Sequence, residues 1–208
     1  MKTNTKIATL SILAVLFGIT FAAPANAAAI SFDNLNATSV DADSITTFGP
    51  IAGSFSTDGF GTTLLEVSLK LSGTADAGSV DVQLLSDSST SPGSLLSTIG
   101  TLNDSLLSST LLNYTLTLAT PFNLAANTRY WINLVSNGSS ANWAWSQDIS
   151  GPGVAGEYIS NINGVFANSS EAPYQMQVVT STPEPAGYGI LGFGLLGIAT
   201  AIRKRYAE

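Results

Sequence analysis

The chain has 208 residues, a formal net charge of −7, 10% charged residues and neither cysteine nor histidine. Disulfide bonds, zinc sites built from cysteine or histidine, and nucleophiles activated by histidine are therefore excluded. The acidic balance also argues against nucleic acid as a partner, because binding to phosphates requires clustered lysine and arginine.

The N-terminal residues have the pattern of a secretory signal peptide. Two lysines precede an apolar run at positions 7–21, and small residues ending in Ala25-Asn26-Ala27 follow it. A basic segment, an apolar segment of about 7–15 residues and an A-x-A site are the parts of such a signal. We therefore expect residues 1–27 to form a signal helix that a signal peptidase removes after Ala27. A short membrane anchor or a buried helix is the alternative, although the run is short for a membrane span.

Residues 28–182 predict an all-β domain, because apolar and polar residues alternate over five stretches. Alternation with period two is typical of strands that bury one face. Clusters of Gly, Pro, Asn and Ser separate the stretches. We therefore predict an antiparallel β-sandwich of jelly-roll type with about eight to ten strands. The alternating apolar positions are Leu65, Val67, Leu69 and Leu71; Val80, Val82 and Leu84; Leu112, Tyr114, Leu116 and Leu118; Tyr130, Ile132 and Leu134; and Tyr174, Met176 and Val178.

Charge is distributed unevenly in this domain. Residues 28–182 carry twelve carboxylates but only two cations, Lys70 and Arg129, which gives a net charge of −10. Such a charge keeps a domain rich in Ser, Thr and Asn soluble and repels anionic polymers.

Some of the carboxylates are candidate calcium ligands, because hard oxygen donors on loops suit that ion. The calcium-loop spacing D-x-[DN]-x-[DN]-G is absent from the sequence. Solvated loop carboxylates and Asx turns explain the same residues. We therefore assign no cofactor and leave structural calcium open as an alternative. The candidates are Asp41, Asp43, Asp76, Asp81 and Asp87.

Trp143 and Trp145 are two positions apart, so both indoles would lie on one face of a strand. Two coplanar indoles could form a stacking platform for the sugar rings of a neutral glycan. The alternative is that both belong to the core, where each indole removes about 150–250 Å² from water. Trp131 would lie on the strand face opposite Tyr130 and Ile132.

Without histidine, catalysis would need a pair of carboxylates or a serine activated by lysine. Ser68 and Ser72 flank Lys70 on one face of a predicted strand, which is the geometry of such a dyad in principle. A lysine beside Glu66 on a solvated face explains the same residues. We therefore assign no catalytic residue.

Two segments of the domain resemble a group of exported bacterial domains. VDVQLLSDSSTSPGSLL at positions 80–96 and PFNLAANTRYWINL at positions 121–134 are similar to the choice-of-anchor R domain. The resemblance covers about residues 45–179. It implies an exported domain joined to a surface-anchoring tail, and it supplies no catalytic residues.

The C-terminal residues, 183–208, have three parts in order. Pro183-Glu184-Pro185 is followed by a glycine-rich apolar run at 187–202 and then by Arg203-Lys204-Arg205. The run would form a transmembrane helix about 24 Å long, at ~1.5 Å per residue, which is short for a hydrocarbon core of about 30 Å. The basic residues would stay on the cytoplasmic side and leave the preceding domain outside. An ordinary C-terminal anchor is the alternative.

This tail resembles the PEP-CTERM sorting signal of bacteria of the Gram-negative type. The resemblance implies that the tail anchors the protein transiently in the inner membrane, where a transpeptidase-like exosortase recognises it. The domain would then pass to the cell surface or the extracellular matrix. Thr182, where valine is commonest, and the trailing residues 206–208 depart from the family pattern.

These observations together predict an exported, non-enzymatic surface or matrix protein with a structural or adhesive role. A signal helix and a transmembrane helix would flank its β-sandwich. The expected partners are signal peptidase, exosortase, the membrane and extracellular polysaccharide, without nucleic acid. A carbohydrate-binding module that uses Trp143 and Trp145 is the first alternative, and an enzyme of the glycoside hydrolase type is the second.

Overall fold

The computed structural model describes residues 27–59, 61–161 and 170–182. Apart from Ala27, which begins the first strand, the predicted signal peptide and the predicted transmembrane helix lie outside these residues, and within them no helix is long and apolar enough to cross a membrane. The described ranges form one short helix, α1 (Ile45–Phe48), a 3-10 turn at Asp104–Leu106 and eleven strands. The strands are β1 (Ala27–Asp33), β2 (Asp41–Ser44), β3 (Ile51–Ser56), β4 (Thr62–Ser72), β5 (Ser79–Asp87), β6 (Pro92–Asn103), β7 (Leu112–Leu124), β8 (Arg129–Asn137), β9 (Asn142–Trp145), β10 (Ile159–Asn161) and β11 (Met176–Thr182).

The strands form two sheets that share one core. Sheet I has the order β1-β11-β4-β9-β2, and β7 also pairs with β4. Sheet II has the order β10-β3-β8-β5-β6. All pairs between these strands are antiparallel. The prediction of an antiparallel β-sandwich is therefore confirmed for the described residues.

Eight of the strands pair like a long hairpin that is folded over on itself. Along the chain, β1, β3, β4 and β5 lead to a turn at positions 88–91, and β6, β7, β8 and β11 return from it. The returning strands pair with the outgoing ones in reverse order, as β5 with β6, β4 with β7, β3 with β8 and β1 with β11. The first and last strands are consequently neighbours.

Most of the predicted apolar positions face the core. The alternating residues of β5 and β8 are all buried, from Val80 to Leu84 and from Tyr130 to Leu134. Leu65 differs, because a bulge between Leu64 and Glu66 shifts the register of β4 against β7. The shift buries Leu64 and leaves Leu65 only half-buried. Leu112 is 50% exposed at the start of β7, which among the described strands pairs only with β4.

Gly53 of sheet II faces large side chains of sheet I across the core. A Cβ atom on Gly53 of sheet II would lie 3.4 Å from Cε of Met176 and 3.5 Å from the indole ring of Trp143. Both of these side chains belong to sheet I and are fully buried. A Cβ atom at Gly53 would thus be in ordinary van der Waals contact with these side chains of the opposite sheet.

A second apolar cluster covers the outer face of sheet II. Trp131 is fully buried there against Ala52 and Leu85, and Tyr158 packs on the same group. The indole N–H of Trp131 donates to Oδ1 of Asp87 at 2.8 Å. Trp131 therefore lies on the face of β8 opposite Tyr130 and Ile132, as predicted. The segment before β10, which carries Tyr158, excludes water from it.

An ion pair fastens that covering segment to the sheet. Nε of Arg129 lies 3.1 Å from Oε2 of Glu157, and the Glu157 side chain is only 6% exposed. The same carboxylate accepts a hydrogen bond from the Ser54 hydroxyl at 2.6 Å. The Arg129 guanidinium also lies 4.7 Å from the centre of the Tyr158 ring. Removing the cation would therefore leave a buried carboxylate without its counter-charge.

We expect Arg129→Met to lower the free energy of unfolding by about 3 kcal/mol, because it leaves Glu157 uncompensated. Urea unfolding followed by tryptophan fluorescence measures this loss. Lys70→Met is the matched control, since Lys70 is the other cation of the domain and forms no salt bridge in the described ranges. Its effect should stay within about 0.5 kcal/mol. Equal losses in the two variants would contradict the assignment.

Candidate functional site

β9 places Trp143 inside the sandwich. The residue is 0% exposed, and its indole N–H donates to the carbonyl oxygen of Gln175 at 2.9 Å. Its ring stacks on Tyr174 with a centroid distance of 4.6 Å and an angle of 13°. Trp145 is half-buried and packs against the same core. Because Trp143 presents no open ring face, the two indoles do not form the stacking platform considered from the sequence.

We expect Trp143→Ala to lower the free energy of unfolding by about 3–5 kcal/mol, as truncation of a buried aromatic residue does. Trp145→Ala is the matched control and should cost less, because Trp145 already contacts solvent. Urea titration of both variants measures the difference. A Trp143→Ala protein that kept its stability but lost binding to a glycan array would restore the platform.

Tyr174, which stacks on Trp143, connects the segment before β11 to β2. Its hydroxyl donates to Oδ2 of Asp43 in β2 at 2.7 Å. Burial, and then the hydrogen bond and the negative charge of Asp43, raise the pKa of Tyr174 far above its ordinary value of 10.0. The phenol therefore keeps its proton, and its hydrogen bond to Asp43, throughout the physiological range.

This pKa shift predicts a loss of stability in alkali. The unfolded chain releases the Tyr174 proton above pH of about 10, whereas the folded protein retains it, so the free energy of unfolding falls as pH rises beyond that value. Tyr174→Phe cannot release this proton and should show a flatter dependence. Urea midpoints across the alkaline range measure both slopes, and identical slopes would contradict the interpretation.

The five acidic residues considered as calcium ligands are distributed over separate contacts. In the described part of the chain, no group of three or more acidic side chains is arranged to hold a metal ion. All five serve as hydrogen-bond acceptors for neighbouring polar groups. Asp41 binds the amide of Ala42, Asp43 binds Tyr174, Asp76 binds Thr74, Asp81 binds Thr101 and Asn137, and Asp87 binds Trp131.

The serine and lysine residues of β4 make contacts across the sheet. The Ser68 hydroxyl is 2.7 Å from the hydroxyl of Thr115 in β7. Lys70 lies opposite Asn113 on the same strand pair. Ser68 is therefore a cross-strand hydrogen-bond partner of Thr115.

Two clefts of about 250 Å³ each border residues 148–153. The first contains two carboxylates, and hydrogen bonds from Ser150 hold the pKa of Asp148 below its ordinary value. Carboxylate and amide oxygens in such a cleft can accept hydrogen bonds from hydroxyl or amine groups. The first cleft is lined by Asp33, Asn34, Asn36, Ala37, Asp148, Ser150 and Gly151, and the second by Ala29, Ile30, Ser31, Ser56, Thr57, Asp58, Thr62, Gly153 and Thr180.

Several buried polar side chains have no counterpart in the sequence predictions. Nε2 of Gln175 donates to the carbonyl oxygen of Ala37 at 2.6 Å, and Oδ1 of Asn34 accepts from the amide of Met176 at 2.9 Å. Asp104 is buried as well. In a chain rich in Ser, Thr and Asn these residues look like surface positions, so no sequence signal separates them from solvated ones.

Of the predicted processing residues, only Ala27 lies within the described ranges. Ala27, the last residue of the predicted signal-peptidase site, begins β1 and pairs with Thr182. Comparisons with protein-family models, with curated proteins and with solved structures find no match to this chain. The other predicted sorting and cleavage residues, Ala25, Pro183, Glu184, Pro185, Arg203, Lys204 and Arg205, lie outside the described residues.

Proposed function

We propose that this chain is an exported structural or adhesive protein of the bacterial cell surface or extracellular matrix, sorted by a PEP-CTERM tail. A signal peptidase cuts after Ala27. The tail at 183–208 then holds the domain outside the inner membrane through its apolar run, and an exosortase recognises the Pro183-Glu184-Pro185 motif. The role needs neither catalysis nor a cofactor, and extracellular polysaccharide is the proposed surrounding polymer.

The register of β1 against β11 is the observation that supports this proposal. Ala27 pairs with Thr182, and Ala28 pairs with Ser181. The two proposed cuts, after Ala27 and at Pro183, therefore fall at the borders of the folded body. Cleavage after Ala27 removes one residue of β1, and processing at the motif leaves β11 whole. A domain of this kind remains folded through both steps.

The sandwich itself also suits a non-enzymatic surface role. We assign it the jelly-roll topology, which is supported by the four nested strand pairs that link β1 to β11, β3 to β8, β4 to β7 and β5 to β6. The outer side of β7 exposes Asn113, Thr115 and Thr117. Neutral amides and hydroxyls of this kind can exchange hydrogen bonds with polysaccharide, while the net charge of −10 repels anionic polymers.

Expression of the full chain in a bacterium that makes an exosortase tests the proposal. We expect the mature protein outside the cell, with an intact mass that corresponds to a start at Ala28 and an end near Pro183. The double variant Pro183→Ala with Pro185→Ala removes the motif. It should retain the tail, keep the higher mass and remain in the membrane fraction.

Pro152→Ala is the matched control, because it makes the same exchange at an exposed proline within the folded body. It should be processed like the wild type. Recovery of the protein from the cytosol with both ends uncut would refute the proposal. Normal processing of the double variant would refute the role of the motif.

A further inference from the structure

Asp104 is a buried carboxylate whose contacts are incomplete. It is 0% exposed, and its Oδ1 atom has no hydrogen-bond partner. Its Oδ2 atom accepts one hydrogen bond, from the amide of Ser140 at 3.2 Å. A buried carboxylate with one unbonded oxygen and no counter-charge is unfavourable. Oδ1 of Asp104 therefore needs a further binding partner.

The cations of the domain do not supply the missing charge. Residues 28–182 contain only Lys70 and Arg129. Arg129 is bound to Glu157, and this is the one salt bridge within the described ranges.

A second carboxylate reaches the same place through Ser140. While the Ser140 amide binds Asp104, the Ser140 hydroxyl binds Asp76. Hydrogen bonds from Thr74 and then Ser140 hold the pKa of Asp76 below its ordinary value, so this carboxylate is charged. The carbonyl oxygen of Gly78, which accepts from the Asp104 amide at 3.0 Å, keeps a second lone pair.

Glycines let three loops meet around Asp104. A Cβ atom on Gly73 would lie 2.2 Å from Oδ1 and 2.6 Å from Cβ of Leu107, so Oδ1 lies against the first residue of the loop that carries Asp76. A side chain on Gly78 would come within 2.5 Å of the Gly138 carbonyl. The connections from β4 to β5, from β6 to β7 and from β8 to β9 thus converge on one oxygen-rich place.

We propose that Asp104, Asp76 and Ser140 bind a divalent cation, of which calcium fits best, where these three loops meet. Calcium takes about six to eight oxygen ligands from carboxylates, carbonyls and water, and extracellular modules bind it with dissociation constants of about 10⁻⁴–10⁻³ M. The ion supplies the positive charge that Asp104 lacks and ties the three loops together. The site does not depend on the proposed sorting tail.

Calcium alone, added to the purified full chain, is the probe. We expect about 10 mM calcium chloride to raise the midpoint of thermal unfolding by about 3–6 °C relative to the chelated protein. Asp104→Asn and Asp76→Asn should each remove most of this rise, because each takes a charged ligand from the ion. Asp148→Asn, which changes an exposed carboxylate in another loop, should respond like the wild type.

Asp104→Asn and Asp76→Asn test the same site independently. Asp76 is exposed, so Asp76→Asn reports on the site even where Asp104→Asn fails to fold. A wild-type protein whose unfolding midpoint does not respond to calcium would overturn the proposal and leave a buried water as the partner of Oδ1. An equal rise in the wild type and in Asp76→Asn would overturn it as well.

Discussion

Burial of apolar side chains between two antiparallel sheets is the interaction on which this domain depends. The chain has no cysteine that could form a disulfide, and the described ranges contain one salt bridge. A domain of 155 residues can bury about 68–70% of the surface of its unfolded chain, which is sufficient for a stable core. Trp143 and Met176 of sheet I fill this core opposite Gly53 of sheet II.

Buried polar side chains then determine how the loops sit on that core. Gln175 and Asn34 each bind backbone atoms that are distant in sequence, and Glu157 holds the segment over sheet II. A buried polar group left without a partner is unfavourable, so each of these residues selects one conformation of its loop. Asp104 is the exception within the described chain that most needs an explanation, since its Oδ1 atom has no partner.

Period-two alternation was sufficient to predict the strands that bury one face, such as β5 and β8, because their inward positions are all apolar. The same rule misplaced Leu65, since a bulge reverses the phase of alternation without a distinctive local sequence. It could not decide between the two interpretations of Trp143, because spacing assigns residues to a face but does not say what covers that face. Buried Asp104 was missed for a related reason: burial of a polar residue depends on loops that are distant in sequence.

β11 is bonded along both of its sides, to β1 and to β4, and it ends at Thr182. Because the bonds of antiparallel ladders run perpendicular to the strands, tension applied to Thr182 along the strand axis would shear two ladders at once. Shearing resists more force than peeling, in which bonds break one after another. Withdrawal of β11 would also drag Met176 and Val178 out of the core. The sandwich is therefore built to withstand traction at its C-terminal end.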